Sequence, residues 1–293
     1  MPHQAWQRVS FENAVDKTPA EIDFCLPNLL AGSVGTVAAE AGIGKTSLLL
    51  QLGAAVAAGI PVAHEALPAP SMTGKVVFLA AEDPPHILER RIHFMMKSLV
   101  AHGYDNGVIK KIETQFHLFS LLGNAPKIVP VTESSPRVWA QLENMATGAR
   151  LLILDPIRSF HLCDDQDYGQ MSMLFQILTD VAARCKCTIL FSHHVNRGSV
   201  GGQVEAGRRQ SDATEGLRAF VNPTRWVLNM HTMSPEEAVA HGVGSDSMRD
   251  YVRVSIPKSN YGPPLESFWL RRSAKFEGIF ESVRLSAQPR KQA

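Results

Sequence analysis

Little in this sequence marks a compartment or a partner. Only four of its 293 residues are cysteines (Cys25, Cys163, Cys185 and Cys187), and no C-x-x-C pair occurs. That spacing excludes a zinc site built on paired thiolates, and without a secretory signal reduced thiols are expected. Cys185 and Cys187 flank one lysine and lead into an apolar run, which reads as core packing rather than a redox pair. The formal charge is +1, so no acidic or basic tail advertises a ligand. A local basic stripe would still suffice to bind phosphates. No apolar run approaches the length of a membrane span, and a soluble, cytoplasmic protein is the expectation.

What the chain does have is 45% hydrophobic residues, enough to bury a full core, set in a regular alternation. Val34 to Ala38, Lys75 to Ala80, Arg150 to Leu154 and Thr188 to Ser192 are short apolar runs that read as strands. Lys45 to Ala58, a stretch opened by the double proline Pro84-Pro85 and running to about Val100, and Met171 to Arg184 read as helices. Strands apolar on both faces, alternating with helices, predict a mostly parallel sheet covered on both sides. Arg225 to Met230, Tyr251 to Ile256 and Ser267 to Leu270 read as antiparallel strands added at the sheet edge. Residues 1–20 are expected to form an arm, 21–284 one α/β domain, and 285–293 a frayed tail.

The run AAEAGIGKTSLLLQL, Ala38 to Leu52, has the form of a phosphate-binding loop with Ala39 where the pattern's first glycine usually stands. In such a loop, Ala41, Gly42, Ile43, Gly44, Lys45, Thr46 and Ser47 would surround the phosphates of ATP, with successive N–H groups turned inward. Lys45 would reach the β- and γ-phosphates, and the Thr46 hydroxyl would hold Mg²⁺. Alanine is tolerable at the first position if its φ is negative. Asp155 ends an apolar strand and suits a second Mg²⁺ ligand, but Pro156 follows it rather than a glutamate. The base for an attacking water must then come from elsewhere, and Glu82, at the end of KVVFLA, is the candidate. Asp83, directly before Pro84, is the expected helix cap. Ser192-His193-His194 ends a further strand, with His194 placed to sense the γ-phosphate. His161 and Cys163 are too sparse for a transition-metal site.

In order and spacing, DFCLPNLLAGSVGTVAAEAGIGKT, AAEDPP, LLILDPIRSFH, SHH, TRW and KSNYG resemble the plasmid-encoded RepA-type hexameric replicative helicases of the RecA-like ATPase superfamily. The resemblance spans most of residues 20 to 272. It implies a RecA-like fold and a ring of six subunits moving 5′ to 3′ on single-stranded DNA during plasmid replication. A plasmid initiator and a primase are the implied further partners. It also implies that Arg225 is an arginine finger entering the next subunit's site. Lys258 would be a helper there, since Asn260 stands where many ring ATPases carry a second cation. The glycine-arginine stretch with Arg197, Arg208 and Arg209, and the segment carrying Arg158, are the candidate DNA-facing loops. Neither interleaves aromatic and basic residues, so backbone contacts are expected rather than base stacking.

Two other readings fit the same residues. One is a recombination or regulatory RecA-like ATPase that binds DNA without unwinding it. The other is a non-enzymatic, nucleotide-gated DNA-binding or repressor protein, for which Glu82 would be dispensable.

Overall fold

The computed structural model describes residues 9–12, 14–128, 135–165, 167–195 and 224–286. Arg197, Arg208 and Arg209 therefore lie outside the described residues. A small antiparallel pair, β1 (Phe24–Leu26) and β2 (Leu29–Leu30), precedes β3 (Val34–Ala39) and α1 (Lys45–Ala58). Then come β4 (Val76–Ala80), α2 (Pro85–Ala101), α3 (Asn106–Gln115) and β5 (Phe116–Ser120). After α4 (Ser135–Ala146), β6 (Leu151–Asp155) runs into a short 3-10 turn, Ile157–Phe160. They are followed by α5 (Tyr168–Cys185), β7 (Thr188–His194) and β8 (Trp226–Thr232). The last elements are α6 (Pro235–His241), β9 (Tyr251–Ser259), β10 (Phe268–Arg272) and β11 (Phe280–Val283).

Among the described residues the main sheet has nine strands in the order β11-β10-β9-β8-β3-β7-β6-β4-β5. From β8 to β5 every neighbour pair is parallel. From β8 outward to β11 every pair is antiparallel. The two later sequence runs are antiparallel additions as expected, but the first is not. Trp226–Thr232 lies parallel against β3, with Gly35 opposite Trp226 and Ala39 opposite Met230. It therefore belongs to the inner sheet, and the antiparallel ribbon begins one strand later.

Period-2 alternation divides the core between the two faces. Val37, Phe78, Leu151, Ile153 and Leu190 pack under α1, α2 and α3, while Val34, Leu79, Leu152, Leu154 and Phe191 pack under α4 and α5. Helix α1 is apolar nearly all round and accordingly is buried nearly all round. Helix α5 buries the stripe Met171, Leu174, Phe175, Leu178, Val181 and Ala182, and Asp167 caps its start by accepting from Gln170 N at 3.0 Å. Each large side chain buried this way contributes roughly 1.5–3 kcal/mol. None of the described helices is long and apolar enough to cross a membrane.

At the start of β6, Arg150 forks onto the Asp23 carboxylate at 2.6 and 3.0 Å, fixing the β1–β2 hairpin to the sheet. Trp226, fully buried, donates from Nε1 to Pro27 O at 3.0 Å and closes the same end. The opposite end, where β3, β4, β6 and β7 finish, stays open to the loops that follow them.

Candidate nucleotide site

Four parallel strands deliver their last residues to one place. Ala39 ends β3 in extended backbone beside His194, meeting the condition for alanine at the first loop position. Lys45, the first residue of α1, is buried and turns back on its own loop. Its ammonium donates to Ala39 O at 2.9 Å and Glu40 O at 2.8 Å, and reaches His194 Nδ1 at 3.0 Å. With Nδ1 accepting from the ammonium, the imidazole proton sits on Nε2, and Nε2 faces Glu82 Oε2 at 3.9 Å.

Asp155 is buried beneath this group. Thr46 Oγ1 donates to its Oδ2 at 2.7 Å, and Ser192 Oγ donates to its Oδ1. Burial pushes the Asp155 carboxyl above its usual range, opposed by those two hydroxyls and by the charge of Lys45. Burial also lowers Lys45 to about 8, with Asp155, Glu82 and Glu40 pulling the other way. His194 is lowered by burial and by the charge of Lys45, against the pull of Glu82 and Asp155, which favours the neutral ring. His193, the previous residue, is buried on the other face and held down at about 3. One hydroxyl and one carboxylate, converging and all oxygen, are the kind of ligands Mg²⁺ takes alongside phosphate oxygens, so Thr46 and Asp155 fit that ion.

The structure thus brings together Lys45, Thr46, Asp155, Glu82 and His194. The Glu82 side chain is 61% exposed and lies beside the cluster, open to whatever occupies it. Asp83 does not cap α2 as expected. Pro84 holds that position without a side-chain cap, and the Asp83 carboxylate instead accepts from Arg91 Nε at 3.1 Å. Arg91 also reaches Ser47 Oγ at 3.4 Å, while Ser120 Oγ donates to Asp83 O at 2.9 Å. These contacts fix the turn carrying Glu82 to the first turn of α1. Arg158, the one described candidate for DNA contact, donates to Cys163 O at 3.2 Å and lies 3.6 Å from Asp165.

Arg225 and Lys258 lie elsewhere. Trp226 stands opposite Gly35 at the start of β3, so Arg225 is about five residues, or about 16 Å of strand, from the level of Ala39. Lys258 stands opposite Val227 on β9, close enough that Arg225 helps burial to lower its pKa. Both cations thus sit at the end of the sheet away from their own phosphate loop.

The site also holds a residue that the sequence does not reveal, Arg272, at the end of β10. Its guanidinium donates to Ile43 O at 2.5 Å, approaches Gly42 O at 3.4 Å, and covers the Phe280 ring at 5.3 Å. No local pattern points to it, because its partners are backbone carbonyls far away in the chain.

Comparison with known proteins bears on this geometry. A family model described as an AAA domain matches residues 2–200. The chain belongs to this AAA domain family. One solved structure, described as an ATPase domain, is similar over 88% of each chain, with a TM-score of 0.57 and 13% identity. A structure described as a DnaB-like replicative helicase and its interactions with primase is similar over 87% of this chain, with a TM-score of 0.58 and 13% identity. The AAA domain chain spans 58% of that helicase's length. At such identities the likeness speaks for the fold, which is that of a RecA-like P-loop ATPase domain.

Proposed function

We propose that this AAA domain chain is the subunit of a ring-shaped, hexameric, ATP-driven helicase acting on DNA. The observation that carries the reading is the grouping of Lys45, Thr46, Asp155, Glu82 and His194 at one strand end, with Arg225 at the opposite end. In this reading Lys45 exchanges its contacts to Ala39, Glu40 and His194 for the β- and γ-phosphates. Thr46 and Asp155 would hold Mg²⁺, which would supply positive charge to the phosphates. Glu82 takes the proton of the attacking water. His194, released when Lys45 turns to the phosphate, registers whether the γ-phosphate is present. Arg225, with Lys258 beside it, enters the site of the next subunit, so hydrolysis requires a docked neighbour.

Single-stranded DNA as track, 5′ to 3′ movement and a role in plasmid replication rest on the ordered resemblance to RepA-type helicases. The test measures ATP hydrolysis with and without single-stranded DNA, together with unwinding of a forked duplex. Stimulation by DNA and fork opening, both lost in Glu82→Gln, are expected. A monomer whose hydrolysis ignores DNA contradicts the reading.

A further inference from the structure

We infer that Arg272 is a positioning residue for the phosphate loop, acting from the antiparallel ribbon to aim the loop's N–H groups at the phosphates. The inference rests on the nucleotide-binding reading above. Its basis is peptide geometry. In a planar trans peptide the N–H points opposite to the C=O of the same unit. The Gly42 carbonyl belongs to the peptide whose N–H is that of Ile43, and the Ile43 carbonyl to the peptide whose N–H is that of Gly44. Arg272 Nη2 takes the Ile43 carbonyl at 2.5 Å and approaches the Gly42 carbonyl at 3.4 Å. Holding both carbonyls on the ribbon side turns the two N–H groups to the other side, the side on which a phosphate cradle must have them.

The guanidinium is itself held. It lies over Phe280, and its Nε donates to Arg249 O at 3.3 Å. Phe280 is fixed in turn by Gln51 of α1, which accepts from Phe280 N at 3.1 Å and donates to Phe280 O at 2.8 Å. The loop leaves no room for an alternative there. Gly44 has φ +96, and a Cβ on it would lie 2.9 Å from Arg272 Nη1 and 3.0 Å from the Phe280 ring. Loop, arginine and ring form one packed unit in which α1 and β11 brace the cation that braces the loop. Nη2 serves the two loop carbonyls while Nε holds Arg249 O, so the planar fork ties the loop to a second segment with a fixed geometry, which a lysine's single nitrogen does not supply.

Calorimetric titration of the full chain with Mg-ATP and, separately, with Mg-tripolyphosphate tests this. Parental protein should bind both. Arg272→Ala should weaken both ligands by a similar factor, roughly ten- to a hundredfold, as expected for lost charged hydrogen bonds. Arg272→Lys should weaken both by less, and keeps charge and bulk at the site should the alanine variant fold poorly. A residue that merely stabilised the fold would leave the affinity of folded molecules unchanged. Should Arg272→Ala weaken ATP yet bind tripolyphosphate at parental affinity, the guanidinium contacts the nucleoside instead of shaping the loop, and the inference is overturned. Parental affinity for both ligands overturns it equally. A parental protein that binds neither ligand brings down the nucleotide reading itself, and this inference with it.

Discussion

The two ends of the parallel strands differ in what they can do alone. At the carboxyl end, one lysine touches two carbonyls and an imidazole, a buried aspartate accepts from two hydroxyls, and a glutamate stands alongside. At the amino end, Arg225 is exposed beside the half-buried Lys258, about 16 Å of strand away from the level of Ala39. In the proposed function the first end holds the groups for binding and proton transfer. The second holds cations, too distant to serve the same pocket. The proposed function divides the device between copies, each chain completing a pocket it does not own.

Breaking the distant end should have the largest effect. Arg225→Ala is expected to lower the turnover rate of ATP by at least about a thousandfold while leaving ATP affinity near parental, since an arginine finger acts on the transition state. Steady-state rates beside equilibrium titration check this, and a fall in affinity alone would blur the division between the ends. Next comes Glu82→Gln, expected to cost roughly 10²- to 10⁴-fold in rate with ATP still bound. Unchanged hydrolysis there would remove the catalytic role of the carboxyl end.

The third effect depends on pH. Burial has lowered Lys45 to about 8, so below that value the ammonium is present in the free protein. A bound phosphate favours the charged form and raises the pKa in the complex. ATP affinity should therefore be full below about pH 8 and fall above it by up to about tenfold per pH unit, until the pKa of the complex is reached. Titrations between pH 7 and 10, compared with Lys45→Ala, would show whether the slope belongs to this residue. The smallest effect should arise away from both ends. A Cβ at Gly53 would lie 2.6 Å from the Phe116 ring, so Gly53→Ala should cost about 1–3 kcal/mol of stability by overpacking α1 against β5. Denaturant unfolding reads it, and the rate per folded molecule should stay parental.

The same division explains what is legible in the sequence. Helix α1 begins and ends where its apolar spacing puts it, and β3, β4, β6 and β7 lie within a residue or two of their runs, because doubly buried strands must be apolar throughout. The pocket residues are visible for the same reason: polar groups at the tips of apolar strands stand out. Residues 101 to 149 are not visible in this way. There β5, FHLFS, is an edge strand with only half-buried inward residues, and α3 is a mostly polar helix that buries Ile112 alone. The pairing of β8 departs from expectation because an apolar strand does not encode the direction of its neighbour. Asp83 departs from it because its partner, Arg91, competes with the cap from two turns along α2. Arg272 is hidden because it binds carbonyls, which leave no mark on the sequence.

The most direct test of a divided pocket mixes two inactive chains. Lys45→Ala subunits lack a working cradle but keep Arg225, while Arg225→Ala subunits keep the cradle but lack the cation to lend. Mixed before assembly across a range of ratios, the pair is predicted to hydrolyse ATP well above the sum of the separate rates, with a maximum at intermediate ratios. A rate equal to that sum at every ratio would contradict the shared site.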